Sequence, residues 1–353
     1  MQSSKERHGS DMERHDDAKS CTSTFGLIME NQPTYVLITP ARNEAEFIER
    51  TIQSVIAQTV RPLKWVIVSD GSTDGTDKIA AKYAADHSWI ELIRTPERAQ
   101  RHFAGKVLAF NAGYARLAGL GYDIVGNLDA DVSFEPDYFQ FLLTKFAEIP
   151  ALGVGGTPFI EGSFQYDYRF TSIEHVSGQC QLFRRKCFED IGGYVPRQIG
   201  GIDHVAVISA RMKGWQTRTF PEKPYLHHRK MGTATQNRFL VPFRVGKADY
   251  ILGSDPLWHF SRCMYQATKR PYVLAGGMRL AGFLWAMVTR TEKQVPAELI
   301  EFRRREQMRR LWRFLTKPSN PFSSNKLPES TGVGSVQTGR IEKVSKLSQQ
   351  QKS

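Results

Sequence analysis

Short, largely apolar runs at 35–39 (YVLIT), 65–68 (WVIV), 90–93 (IELI) and 123–128 (DIVGNL) alternate with stretches of helical period. Runs of this length with few polar breaks predict strands covered on both faces, as in a parallel sheet. After the first run, Phe47, Ile48, Thr51, Ile52, Val55 and Ile56 recur at three- and four-residue spacing and share one helix face, which Gln58 and Arg61-Pro62 close. A second helix carries Ile79, Ala80 and Tyr83 inward, and a third covers about 107–117. The order β-α-β-α-β-α-β predicts an α/β fold with a mostly parallel sheet, whose ligands bind at the carboxyl ends of the strands.

The pattern is less regular afterwards. A strand is expected at 180–183, a short helix at 188–191 and a longer one at 205–213, with no internal repeat. The stretch 272–289 (YVLAGGMRLAGFLWAMVT) is shorter than the roughly 20 apolar residues a span needs. It carries Arg279 midway, so a helix lying in a membrane interface is expected rather than one crossing it. Residues 1–32 and 318–353 are too polar to repay ordering entropy and read as disordered tails. The first 20 residues mix charges of both signs without an apolar core, so no leader or anchor is expected there.

Of 353 residues 41% are hydrophobic, enough for one large domain and an appendage. A net charge of +12 implies an anionic partner: nucleotide phosphates, acidic lipid headgroups or nucleic acid. Cys21, Cys180, Cys187 and Cys263 lack metal or redox spacing, which fits reduced thiols in a cytosolic compartment.

Candidate chemistry gathers at the strand ends. Asp129 and Asp131 flank one alanine after the fourth run, a spacing that lets two carboxylates approach one divalent cation, Mg2+ or Mn2+, beside diphosphate oxygens. The competing reading is a solvated acidic turn. Asp70, in WVIVSDGSTDGT, sits where a carboxylate accepts a hydrogen bond from a nucleobase, or closes an Asx turn. The first strand exits into TPARNEA without a GxGxxG, and the chain has no GxxxxGK[ST]. Dehydrogenase and P-loop readings are therefore weak, although a mononucleotide can rest on Pro40, Ala41 and Arg42.

Together TPARNEA, VSDGSTDGT and LDADV resemble the nucleotide-binding half of family 2 glycosyltransferases of GT-A fold. FAGKVLAFNAG and FRRKCFEDIGGYVP extend the resemblance, which covers roughly residues 34–232. It implies a GT-A type nucleotide-diphospho-sugar transferase domain over 33–232 and assigns roles within it. Pro40, Ala41, Arg42 and Glu44 would line base and ribose, Asp70 would bind the base, Lys106 would approach the phosphates, and Asp129 and Asp131 would serve ribose and metal. The family's catalytic base matches Asp203 in GGIDHVAVISARMKGW, where Ile202 replaces the customary Glu; an N-cap for the following helix is its other reading. His227 and His228, beside Arg229 and Lys230, lie where metal-dependent relatives place a late histidine, and either imidazole can complete a metal shell. Neither a QxxRW motif nor several spanning helices are visible, so a single sugar per encounter is expected, as in non-processive bacterial exopolysaccharide or glycolipid enzymes.

Residues 233–317 form the appendage, a helical, membrane-associated region ending in FRRREQMRRLWRFLTK. Arg303, Arg304, Arg305, Arg309, Arg310, Arg313 and Lys317 are expected to face anionic headgroups while Phe302, Leu311, Trp312 and Leu315 dip into the acyl boundary. The alternative is packing on the catalytic domain or a dimer contact. The expected activity is metal-dependent inverting transfer from a nucleotide-sugar donor to a hydroxyl of a sugar or lipid-linked acceptor, on the inner face of the cell membrane. Nucleotidyl transfer and a non-catalytic scaffold are the alternatives. Nucleic-acid binding is not expected, because the basic excess sits in one amphipathic segment.

Overall fold

The computed structural model describes residues 32–96, 103–162, 172–197, 200–229, 240–268 and 272–316. The two expected tails therefore lie almost wholly outside the described residues. The chain groups into two compact units, 1–308 and 309–353.

The first unit is built on a seven-stranded sheet. Strands β1 (Tyr35–Ala41), β2 (Lys64–Asp70), β3 (Ile90–Thr95) and β4 (Ile124–Leu128) are joined by helices α1 (Ile48–Ile56), α2 (Thr76–Asp86) and α3 (Phe103–Ala115). They run parallel in the order β3-β2-β1-β4, which matches the α/β expectation. Side chains alternate across β1: Tyr35 and Leu37 join one core with Ile48, Ile52 and Val55 of α1, whereas Val36 and Ile38 join the other with Val107 and Phe110 of α3. This two-sided burial is why the runs read as continuously apolar. Each fully buried Ile or Val contributes roughly 1.5–3 kcal/mol, so α1 is held by its face rather than by its propensity.

The second half departs further from its pattern. After β5 (Val132–Ser133), helix α4 (Tyr138–Glu148) buries Tyr138, Phe139, Leu142, Leu143 and Phe146. Strands β6 (Leu152–Gly156), β8 (Cys180–Arg184) and β9 (Gln216–Thr219) complete the large sheet, with β8 antiparallel to both β4 and β6. Helices α5 (Arg185–Asp190) and α6 (Ile202–Met212) flank them. A small sheet pairs β5 with β10 (Tyr225–His227) and β7 (Phe159–Ile160). Cys180, Cys187 and Cys263 are free and buried.

Helices α7 (Leu240–Ile251), α8 (Pro256–Ala267), α9 (Tyr272–Val288) and α10 (Ala297–Thr316) follow. No helix among the described residues is long and apolar enough to cross a membrane. Val205 and Ile208 of α6 share a small core with Leu252, Val295 and Leu299, so the helical region packs on the half that carries the sheet. Part of the expected basic membrane face is turned inward as well. Arg303 is 4% exposed, donates from Nη1 to the Leu252 carbonyl and lies 3.6 Å from Asp249, and Phe302 packs against the same small core. A buried carboxylate 54 positions away has captured an arginine that local patterning assigned to anionic headgroups.

Candidate active site

The loops after β1 and β2 brace each other. Asn43 adopts a left-handed φ of 55°, which asparagine tolerates, and its side-chain oxygen accepts from the Thr73 amide at 2.9 Å. The Glu44 amide donates to Thr76 Oγ1 (2.8 Å) and the Ala45 amide to Asp74 (3.0 Å). Pro40 and Ala41 end β1 and Arg42 follows, its guanidinium 3.9 Å from Asp70. Asp70 ends β2 and accepts from Thr95 Oγ1 at 3.1 Å. The expected base-binding group is thus held at the sheet's carboxyl edge, 6% exposed.

The Asp-Ala-Asp segment follows β4. The Asp129 amide donates to the Gln179 carbonyl (2.8 Å), and Lys106 Nζ from α3 lies 2.5 Å from Asp129 Oδ1. Asp131 Oδ2 lies 3.5 Å from His227 Nε2 and 3.4 Å from Arg229 Nε. At 8% exposure Asp131 is inside the cleft wall rather than in a solvated turn.

The electrostatics separate the two carboxylates. Desolvation and the charge of Asp131 raise the pKa of Asp129 against the pull of Lys106. For Asp131 desolvation is outweighed by His227, Arg229 and Lys106, which hold its carboxyl below the usual range. Desolvation opposes the Lys106 ammonium, but Asp129, with Asp203 and Asp131 beyond it, raises its pKa. One lysine thus senses three of the carboxylates that the sequence singled out, Asp129, Asp131 and Asp203.

Asp203 lies in the first turn of α6, and the N-cap is Gly201, so the N-cap reading of Asp203 does not hold. Its carboxylate rests on Gly178, where an added Cβ would come within 2.5 Å of Asp203 Oδ2. The loop that carries Gly178 is fixed by Asn127, whose side chain donates to the Gly178 carbonyl at 2.8 Å. Gly178→Ala is therefore expected to displace Asp203 and lower kcat about 10- to 100-fold with little change in donor affinity, which steady-state kinetics will check.

The two histidines part ways. In β10 successive side chains alternate, and His227 faces the carboxylates, with Nδ1 2.8 Å from Glu161. Burial opposes its protonation, but Asp131 and Glu161 outweigh burial and raise its pKa. His228 turns away: its Nε2 is 2.9 Å from Ser133 Oγ and its ring stacks on Phe47. Burial, with the charge of Arg50, keeps its pKa low. The structure therefore brings His227, not His228, to the Asp131 carboxylate.

Glu44 pairs with Arg229 beside Asp131 and is 9% exposed. Desolvation, reinforced by Asp131 and opposed by Arg229, pushes its pKa up from 4.5 to about 7. A carboxyl raised on folding stabilises fully below its unfolded value, and that share is lost as pH rises through the folded value. Glu44→Gln keeps the protonated shape and escapes this loss. Its melting temperature relative to wild type is expected to rise between about pH 5 and about pH 8, by the equivalent of up to about 3 kcal/mol.

Among the described residues no group of three or more His, Cys, Asp or Glu side chains is arranged to hold a metal ion by itself. Asp131 and His227 nevertheless present one hard oxygen and one imidazole nitrogen to the same space. Such a pair fits a cation whose remaining ligands are phosphate oxygens and water. Glu161, Asn43, Thr76 and Gly178 are the positions sequence reasoning missed.

Residues 36–195 match the model of glycosyl transferase family 2. Over 170 residues the chain is 30% identical to a poly-beta-1,6-N-acetyl-D-glucosamine synthase of Staphylococcus aureus, covering 42% of this chain and 39% of that protein. Over 114 residues it is 29% identical to a chondroitin synthase of Pasteurella multocida, covering 32% of this chain and 11% of that one. The chain thus spans about two fifths or less of the length of these relatives. Among solved structures, the mannosyltransferase PcManGT from Pyrobaculum calidifontis, in complex with GDP-Man and Mn2+, superposes with a TM-score of 0.50 at 18% identity over 81% of this chain and 82% of that one, a likeness of fold. The match to the glycosyl transferase family 2 model runs across the strand that ends in Asp70 and the segment after β4 that holds Asp129 and Asp131, and it is a likeness over slightly less than half of the chain.

Proposed function

We propose that the chain is a metal-dependent inverting transferase that moves one sugar at a time from a nucleotide diphosphate donor to a hydroxyl of a lipid-linked acceptor. The setting is polysaccharide or glycolipid assembly at the inner face of the cell membrane. The observation that carries this reading is the ion pair of Lys106 with Asp129 just after β4, at 2.5 Å, with the charges of Asp131 and of Asp203 on α6 also acting on that lysine.

In this mechanism Pro40, Ala41, Arg42, Glu44 and Asp70 hold the nucleoside. Asp203 takes the proton of the acceptor hydroxyl, whose oxygen forms a bond to the anomeric carbon from the face opposite the diphosphate. The bond from that carbon to the donor phosphate oxygen breaks, and the electron pair leaves with the diphosphate. Lys106 shifts from Asp129 toward the phosphates, where positive charge is worth most in a desolvated cleft. Asp131 and His227, with Asp129 beside them, would hold Mg2+ or Mn2+, which when bound neutralises the departing diphosphate.

A nucleotide-sugar panel supplied with Mn2+ is expected to give turnover with one donor, and excess EDTA is expected to abolish it. Full rate in EDTA would remove the metal from this mechanism, and a product of unchanged anomeric configuration would remove inversion. Formation of a nucleoside triphosphate and a sugar 1-phosphate when pyrophosphate is added to the nucleotide sugar would favour nucleotidyl transfer instead.

A further inference from the structure

Helix α9 has two unlike sides. Ala275, Phe283 and Ala286 are buried. A Cβ on Gly282 would lie 2.0 Å from the Phe243 carbonyl oxygen, so the backbones of α7 and α9 touch. Arg279 points into this packing and pairs with Asp249 of α7 at 2.5 Å. The charge that interrupted the apolar run is thus used internally.

On the other side Val273, Leu274, Ala281, Leu284, Trp285 and Val288 are exposed, Trp285 by 59% and Val288 by 77%. At three- and four-residue spacing they form one stripe, roughly 22 Å long at the helical rise, with no charged residue in it.

The stripe ends on cations. Arg290 holds a φ of 51°, a left-handed position just past the helix end that glycine adopts at lower cost, and it is exposed. Lys293, Arg304 and Arg305 then line a groove of about 480 Å³, with Glu301 as the acidic lining residue and Ile300 and Met308 as apolar ones. Desolvation and the charge of Arg304 hold the Lys293 ammonium below its ordinary pKa, a repulsion that a bound anion relieves. Glu301 lies 3.9 Å from Arg305, so one carboxylate faces three cations and the groove keeps an excess of positive charge that complements an anion.

We propose that the chain docks on an anionic phospholipid surface through the exposed stripe of α9, and that the Lys293–Arg304–Arg305 groove takes a phospholipid headgroup. Apolar side chains with a tryptophan enter the acyl boundary while the adjoining cations meet the phosphates. The inference rests on the membrane-surface part of the proposed function and narrows it: of 272–289 it uses the exposed side of α9, and of the final helix Arg304 and Arg305.

The full chain is to be sedimented with vesicles of phosphatidylcholine alone and with phosphatidylglycerol added. Wild type is expected to bind the anionic vesicles. Trp285→Glu/Val288→Glu is expected to weaken that binding about tenfold or more. Arg290→Gly/Lys293→Glu/Arg305→Glu is expected to weaken it about tenfold on anionic vesicles only. Arg304 is left in place because it also donates to the Gly253 carbonyl. Donor turnover in solution stays at the wild-type value in both variants, which reports that they fold. If both variants bind as wild type does, the α9 face is wrong while membrane attachment stands. If wild type binds neither vesicle, both fall. If wild type is a dimer that Trp285→Glu/Val288→Glu splits with vesicle binding unchanged, the stripe joins two copies and the proposal is overturned.

Discussion

Asp203→Asn is expected to lower kcat by about three orders of magnitude while leaving donor KM within about twofold. Asparagine keeps the shape that rests on Gly178 but cannot accept a proton, so what is lost is basicity rather than packing. Circular dichroism will show that the helix is intact, since Gly201 rather than Asp203 caps it. A variant retaining more than about a tenth of wild-type kcat would move the base elsewhere.

Asp131→Asn has the second largest expected effect, a loss of about a hundredfold or more in kcat/KM with the Mn2+ activation curve displaced to higher concentration. Removing this carboxylate deprives His227 and Arg229 of the charge they face at 3.5 and 3.4 Å. A fall in stability of roughly 1–3 kcal/mol should accompany the kinetic loss, because Arg229 keeps only Glu44 and His227 only Glu161 as carboxylate partners at a buried site. The competing sequence reading, a solvated acidic turn, would predict no such loss, but the 8% exposure of Asp131 argues against it. An unshifted metal curve would sink the assignment of Asp131 as a ligand.

The first half of the fold was legible because its signals are local. β1 to β4 are apolar on both faces, and α1 repeats its buried residues at 48, 52 and 55. The second half hides in short pieces. β7 has two residues and β10 three, too few for a period to register, and β9 (QTRT) is polar in composition although Thr217 and Thr219 are buried. Helix α4 did carry a readable face in Tyr138, Phe139, Leu142, Leu143 and Phe146, and it was not singled out.

Candidate site residues were readable by type and by position at strand ends, but their partners were not. Glu161 meets His227 across 66 positions and Arg229 meets Glu44 across 185. No local pattern encodes such encounters. The choice between His227 and His228 was in principle available, since alternation along a strand that buries Tyr225 also buries His227. The arginine-rich final helix misled for the opposite reason: its composition spoke of solvent, while Arg303 and Gln307 are held inside by Leu252 and Ser254.

The bidentate pair between Arg211 of α6 and Glu306 of α10, at 2.8 and 3.0 Å, ties the helix that bears Asp203 to a segment nearly a hundred positions downstream. A fragment ending at 232 would lack Glu306 and so lose this stay on the helix that carries Asp203. In evolutionary terms the helical extension and the chemistry are then not free to be exchanged like separate modules, because a swap of one must bring a matching carboxylate for the other.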